Sequence, residues 1–389
     1  MKNNLKKTTT FIIAFVTTLI LSGCFSVVTG TWEGYHYRIK NREVTITRYS
    51  GDEIELTIPS LIDECPVVSI GYEAFYDNRT LKTIIIPKGV ESLSDYAFYS
   101  CISLSSITIP NGVTSIGRYA FYNCTSLKSI TLPDSLTFIG GNAFNECSGL
   151  TTFRIPKNVK KIESQAFDNC THLPSIYVDP DNQYYSSMNG VLFDQAQTIL
   201  MKYPEGNTKT SYTIPSRVIS IEKHAFRSPY LTSISIPLRV TSIHDEAFDG
   251  CINLASFNVD GNNEYYSSMS GVLFNHAHNV LMKYPEGAPY SIYTIPPTVT
   301  TIGQYAFNNC LHLTSIIIPD NVTRIKEYAF NNCSSLTSIT IPDSITIIQR
   351  GAFANCSNLQ IYTEAIRKPL GWNSGWNPDD RPVTWGNQS

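Results

Sequence analysis

The sequence predicts a β-rich solenoid, a coil of short parallel strands stacked turn upon turn, and three observations predict it. Beyond the N-terminal apolar run, the dipeptide Ala-Phe occurs ten times, ending at Phe75, Phe98, Phe121, Phe144, Phe167, Phe226, Phe248, Phe307, Phe330 and Phe353. Successive gaps are 23, 23, 23, 23, 59, 22, 59, 23 and 23 residues, and a fixed period of this size marks units that bury their apolar face only by stacking on neighbours. The two 59-residue gaps are copies of each other: Val178 to Pro215 matches Val259 to Pro296, with Tyr184-Tyr185-Ser186-Ser187-Met188 against Tyr265-Tyr266-Ser267-Ser268-Met269.

The elements follow in chain order. Residues 1–23 read as an export signal: Lys2, Lys6 and Lys7 precede an apolar run of eleven residues from Phe11 to Leu21, too short to span a bilayer. Leu21-Ser22-Gly23-Cys24 resembles the lipobox of bacterial lipoproteins. That resemblance implies a diacylated Cys24 as the first mature residue, tethered to a membrane at about 0.8 kcal/mol per buried methylene. Residues 24–58 are expected to hold a tether and a β-hairpin cap, with Tyr35 to Ile39 pairing with Val44 to Tyr49 and Trp32 covering the first coil.

The solenoid is expected over residues 59–360. A representative unit carries Leu127, Ile130, Leu132, Pro133, Leu136, Ile139, Gly140, Ala143, Phe144 and Cys147. Ile-x-Ile alternates inward and outward as a strand does, and the following proline has no N–H for a ladder, so the chain turns there. Alanine before every repeat phenylalanine fits a point where backbone crowds backbone. The Gly71, Gly117, Gly140 and Gly303 column is occupied by other residues elsewhere, so positive φ is not obligatory at that point. In the longer coils, at about 178–215 and 259–296, Val191-Leu192-Phe193 is expected to pair with Ile199-Leu200-Met201 as a hairpin standing off the solenoid, in a coil without the Ala-Phe corner. About thirteen strands at 4.7 to 4.9 Å would make a stack of roughly 60 Å. Residues 361–389 form a cap in which Trp372, Trp376 and Trp385 plug the last coil; the alternative, an aromatic platform for sugars, requires at least two of those rings to be largely exposed.

The signature Leu-x-x-Ile-x-Ile-Pro, followed by Ala-Phe-x-x-Cys, resembles the BspA-like leucine-rich repeat family, also called the Treponema pallidum type, over almost the whole mature chain. The resemblance implies a right-handed leucine-rich repeat coil and a bacterial or protist surface protein, several members being regarded as adhesins for host proteins or other cells.

Composition excludes other classes. Net charge is −3 and charged residues make up 16%, which leaves no basic footprint for nucleic acid. Eight of the ten cysteines, Cys101, Cys124, Cys147, Cys170, Cys251, Cys310, Cys333 and Cys356, fall three residues after a repeat phenylalanine, so they read as a buried ladder of free thiols. His172, His312, His276 and His278 lack the paired ligands of a metal site. Asp179, Asp181 and Asn182 are turn formers, since Gly190 stands where a calcium loop needs Glu. No catalytic motif interrupts the repeat, and no enzyme activity or cofactor is expected.

Binding is expected on the outward positions of the Ile-x-Ile strands. One outward row, the residue before the first Ile of Leu-x-x-Ile-x-Ile, is Ser or Thr in nine copies: Thr83, Ser106, Ser129, Thr152, Ser175, Ser233, Ser256, Ser315 and Ser338. The other varies through Ile85, Thr108, Thr131, Arg154, Tyr177, Ser235, Asn258, Ile317 and Thr340. Arg154 and Tyr177, of types enriched in interface hot spots, fall on adjacent coils, with Lys157, Lys160 and Lys161 nearby. The reading is a lipid-anchored protein of the bacterial cell envelope, facing outside the cytoplasm, that binds an extracellular protein, a host matrix component among the candidates, or a glycan. Two alternatives stay open: a structural role in envelope assembly without a soluble ligand, and glycan capture by the terminal tryptophans.

Overall fold

A computed structural model describes residues 27–387. The export segment and Cys24 lie outside the described residues. Within them the chain is a β-solenoid whose coils each contribute two short strands. The first row holds the Ile-x-Ile segments, such as Thr83–Ile85 paired in parallel with Ser106–Thr108, Ile84 opposite Ile107. The second row follows the proline turn: Ser92–Leu93, Ser115–Ile116, Phe138–Ile139 and Lys161–Ile162 pair in parallel within one nine-stranded sheet. Between the rows the proline carbonyl accepts a hydrogen bond from the residue three further on, as from Leu136 N to Pro133 O at 3.0 Å, which is a β-turn.

The Ala-Phe corner locks one coil to the next. Phe98, Phe121 and Phe144 donate their N–H to Ala120, Ala143 and Ala166 of the following coil at 2.7, 2.8 and 2.9 Å. Their rings stack, with centroids 5.0 Å apart for Phe75–Phe98, 5.2 Å for Phe98–Phe121 and 5.4 Å for Phe121–Phe144. The ladder thiols are free, and each of several donates to the phenylalanine carbonyl of the coil before, Cys124 Sγ to Phe98 O at 3.2 Å and Cys147 Sγ to Phe121 O at 3.0 Å. Burial pushes the Cys101 thiol up to about 12. Left-handed backbone falls on the residue before the alanine (Tyr96, Tyr119, Asn142) and before the cysteine (Asn123, Asn169, Asn309). At Gly117 and Gly140 the requirement is closeness: a Cβ would meet Asp95 N at 2.4 Å and Arg118 N at 2.6 Å.

The longer coils depart from expectation in two ways. Their hairpins do not stand off the solenoid. Val191–Asp194 pairs antiparallel with Ile199–Lys202, which then pairs in parallel with Ser220–Ile221 as a second-row strand, and Val191, Leu192, Phe193 and Leu200 are buried. Three consecutive apolar side chains on one strand and Leu200 on the other could not remain in water, so the hairpin is drawn into the stack. Nor do these coils lack the corner. Lys202-Tyr203 and Lys283-Tyr284 stand in place of Ala-Phe: Tyr203 N donates to Ala225 O at 2.7 Å and its ring stacks on Phe226 at 5.5 Å, as Tyr284 does on Phe307 at 5.3 Å.

The hairpins also interrupt the sheets. No strand pairing joins Ile176–Val178 to Ser211–Thr213, or Ser256–Val259 to Ile292–Thr294. The core accordingly divides into three clusters that meet at the hairpins, Leu192 closing the first and Val191 and Phe193 opening the second. A single uninterrupted interior, which strict periodicity implies, is therefore not what the chain builds.

Both ends are covered by aromatics. Val28–Trp32 adds a strand to the expected hairpin of Tyr35–Lys40 and Glu43–Tyr49, and Trp32, Tyr35 and Tyr49 continue the ring file onto Phe75. At the other end Trp376 meets Phe353 edge-on at 5.7 Å, and Trp372 donates its indole N–H to Ile345 O. Trp372 and Trp376 are 3% and 6% exposed, so the sugar platform fails its own condition and the plug reading stands.

Candidate functional site

Phe153 occupies an inward strand position that is isoleucine in the neighbouring coils. Its ring wedges edge-on between Phe144 and Phe167, at 4.9 and 4.8 Å, and the two corner rings lie 6.0 Å apart, wider than in the coils before. Here the first row opens. Phe153–Ile155 pairs onward with Ile176–Val178 but not back with the coil around Thr131, which is held only by an isolated bridge to Thr108. The opening is a cleft of about 510 Å³ whose rim carries Ser129, Thr131, Asp134, Thr152, Arg154 and Asp179. One end is closed by Thr151 N bonding Lys128 O, the other by the Asn158 amide bonding Asp134 O.

Arg154 and Tyr177 stand opposite each other in register on adjacent strands. Tyr177 is 56% exposed. The Arg154 guanidinium donates to Asp179 Oδ2 at 2.8 Å, which fixes it across the mouth of the cleft. The Asp179 carboxyl sits below its ordinary value because it accepts the Asp181 N–H, with Arg154 adding to the effect. Asp179 and Asn182 thus form the expected turn, Asn182 Oδ1 accepting from Tyr184 N and Tyr185 N.

The remaining candidates are not all brought to this place. Lys157 borders the cleft, ion-paired with Asp134 at 3.0 Å. Lys160 and Lys161 lie instead at the second strand row. Lys161 pairs with Glu163, which also takes Arg118 at 2.8 Å, and the Arg118 hydrogen bond with that of Lys161 pulls the Glu163 carboxyl down to about 2. Asn258 is exposed on the Ser256–Val259 strand, beyond the first longer coil. The basic cluster is therefore divided between two faces, and its charges are largely matched.

Two features went unread in the sequence. Tyr72, Tyr96 and Tyr119, beside Tyr76, Tyr99 and Tyr122, form a double file of rings along the corner, Tyr76–Tyr99 and Tyr99–Tyr122 both stacked at 4.8 Å. The recurrence of Tyr-Ala-Phe-Tyr at 96–99 and 119–122 is the signal that could have found them. In the longer coils, Lys202 is buried and paired with Asp168 at 2.6 Å and Glu205 at 3.1 Å, while Lys283 takes Asp249 and Glu286. His224 bridges Asp168 at 2.7 Å and Glu246 at 3.2 Å. Burial opposes ionisation of Asp168, but the His224 hydrogen bond and the Lys202 charge outweigh it and hold the carboxyl at about 2. Among the described residues no group of three or more His, Cys, Asp or Glu is placed to hold a metal ion.

Stacked coils of about 23 residues, two parallel strand rows and a corner of buried Phe, Ala and Cys define a leucine-rich repeat solenoid. The chain belongs to the BspA type: the BspA type leucine rich repeat region matches residues 57–189, 203–280 and 288–365 in six copies, more than half of the sequence. A leucine rich cell surface protein from Faecalibacterium prausnitzii A2-165 is 26% identical over 94% of this chain and 99% of its own, with a TM-score of 0.51. The pneumococcal vaccine antigen PcpA is 19% identical, covers 94% of this chain and 98% of its own, and has a TM-score of 0.56. A leucine-rich repeat protein from Eubacterium ventriosum is 23% identical over 90% and 98%, at 0.52. The last two likenesses concern the fold. No curated protein matches the chain.

Proposed function

We propose that this chain is a non-catalytic, adhesin-like surface protein that captures a macromolecular ligand, a protein in the first place, on its first strand row, and that acylation of Cys24 tethers it to a bacterial membrane. The observation that carries the binding site is the pair Arg154 and Tyr177, exposed side by side at the cleft that Phe153 lines. Arginine and tyrosine dominate interface hot spots, and an extended strand face accumulates contact area without a deep pocket. Lys157 extends the same rim; Asn258, Lys160 and Lys161 belong to the proposal only as outlying contacts. The description of the Faecalibacterium relative as a cell surface protein supports the setting.

Binding of the Arg154→Ala, Tyr177→Ala double variant to immobilised matrix proteins and polysaccharides tests the site. Capture should fall by tenfold or more while unfolding free energy stays within about 0.5 kcal/mol, as for surface substitutions generally. Undiminished capture removes the patch. Labelling with radioactive palmitate tests the tether: the label should enter the wild type and be absent from Cys24→Ala, whereas label retained in the variant contradicts it.

A further inference from the structure

The second interruption of the first strand row leaves a strand edge with nothing beside it. Ile292–Thr294 pairs on one side only, with Ser315–Ile317. Ser291 O accepts from Ser315 N and Ile295 N donates to Ile317 O, so the odd-numbered backbone groups face that partner. Those of Ile292 and Thr294 face the other way, since backbone polar groups alternate sides along a parallel strand. On the far side of the gap, the Ser256–Val259 edge is already occupied by the hairpin, Phe257 N bonding Gly271 O at 2.9 Å and Val259 N bonding Ser268 Oγ at 3.0 Å. At this gap the unsatisfied edge thus belongs to Ile292–Thr294.

The first longer coil supplies an internal control. Its corresponding strand, Ser211–Thr213, also pairs on one side only, with Ser233–Ile236. The approach to it reads Asn207-Thr208-Lys209-Thr210-Ser211, whereas the second copy reads Ala288-Pro289-Tyr290-Ser291-Ile292. Tyr290 is 63% exposed and Ile292 60%, and Ile317 on the next rung is 52% exposed. A cavity of about 210 Å³ opens beside them, lined by Ala255, Val272, Tyr284, Ala288, Tyr290 and Tyr293. The Tyr284 hydroxyl is buried without a hydrogen-bond partner. The Tyr203 hydroxyl is equally alone, so the apolar row, and not the hydroxyl, distinguishes the second gap.

We propose that the free edge of Ile292–Thr294 binds an extended peptide segment of a partner protein by strand addition, with one apolar side chain of that peptide seated over Tyr284. The backbone edge calls for a ladder of alternating N–H and C=O groups, which a peptide in β conformation supplies and a glycan does not. The exposed apolar row selects alternate apolar side chains, and the cavity has room for one of them. This site is separate from Arg154 and Tyr177.

The test uses the full-length protein and a fluorescein-labelled synthetic peptide, Leu-Thr-Ser-Ile-Ser-Ile-Pro, copied from the chain's own first-row strand at 231–237. Two further forms carry N-methyl groups on one or the other alternate set of amides. Anisotropy should report saturable binding that falls at least tenfold for one methylated form only. Hydrogen exchange at the Ile292 and Thr294 amides should slow on binding. Ile292→Lys should weaken binding tenfold or more. Thr294→Pro, which removes an edge N–H without touching the ladder to Ser315–Ile317, should do the same. Ser211→Lys, at the first gap, and the Arg154→Ala, Tyr177→Ala variant should leave it within twofold. The proposal is overturned by no saturable binding, by equal binding of both methylated forms, or by equal losses from Ile292→Lys and Ser211→Lys. Dimerisation of the protein that Ile292→Lys abolishes, without peptide binding, would assign the edge to a second copy of the chain and likewise overturn it.

Discussion

At the scale of single residues, most positions in this chain are decided by the residue 23 places away. Phe121 is buried between Phe98 and Phe144, Cys124 bonds a carbonyl of the preceding coil, and Ala143 accepts the Phe121 N–H. His224 follows a different logic, since it joins the ion cluster of the first longer coil at a place that Tyr305 occupies beside the second. Burial pushes its imidazole down, but the hydrogen bonds to Asp168 and Glu246 outweigh burial and raise it above the ordinary 6.5. A group whose folded pKa is raised contributes stability that is complete below its unfolded pKa and is lost as pH rises through the folded one. Asp168, held at about 2, stays ionised throughout the working range. The His224→Gln variant should therefore be less stable than wild type by about 1.5–3 kcal/mol at pH 5, the scale of hydrogen bonds to charged groups. Urea unfolding from pH 5 to pH 9 should show that difference shrinking toward high pH; a difference that is constant or grows with pH contradicts the assignment.

At the scale of elements, each longer coil also holds a preceding hairpin, Tyr185–Met188 paired antiparallel with Val191–Asp194 in the first and Tyr266–Met269 with Val272–Asn275 in the second. It depends on a two-residue turn with both residues left-handed, Asn189 and Gly190 in the first, Ser270 and Gly271 in the second. Gly190 has φ +80°, and a Cβ there would lie 2.4 Å from Ser175 Oγ and 3.0 Å from Ser175 Cα. Gly190→Val should cost about 1–3 kcal/mol, the range for a strained backbone position. Gly261→Val, where a Cβ meets nothing within 4 Å, should stay within about 0.5 kcal/mol. Equal effects in urea unfolding would contradict the turn's role. The strands of the hairpin that follows, Val191–Asp194 and Ile199–Lys202, were legible in the sequence, because Val-Leu-Phe and Ile-Leu-Met flank a turn. Its position was not: period-2 patterning says that a segment is a strand but not which neighbour it pairs with. The Tyr203 and Tyr284 corners escaped for a related reason. A search for Ala-Phe passes over Lys-Tyr, although a lysine can replace alanine once Asp168 and Glu205, or Asp249 and Glu286, surround its ammonium group. The neighbourhood of Arg154 and Tyr177 was readable from the repeat register alone. The cleft beside it was not, since the register does not show where strand pairing lapses: Phe257 makes the same change as Phe153, yet its strand still pairs with the coil before it.

At the scale of the whole molecule, the two copied insertions divide one repeat array into three core segments without ending the coil. Second-row pairing resumes after each hairpin, from Ile199–Lys202 to Ser220–Ile221 and from Val280–Lys283 to Thr301–Ile302. First-row pairing does not bridge either gap, so each interruption leaves a strand edge, in a face already opened once between Thr131 and Phe153. A strictly periodic solenoid of this family would present only its flat rows. Here the departures from periodicity, at Phe153 and in the two longer coils, coincide with the cleft and the free edges to which the proposed binding sites are assigned.

The stacking itself is tested most directly by hydrogen exchange of the corner amides Phe98, Phe121 and Phe144 in the native protein, resolved residue by residue. Each donates across coils to an alanine carbonyl in the buried corner, so all three should exchange as slowly as the amides of the Ser106–Thr108 and Ser115–Ile116 strands, and by the same opening. Exchange of these three within seconds, while the strand amides remain protected, would show that the corners are ordinary surface turns and that the coils are not joined as described.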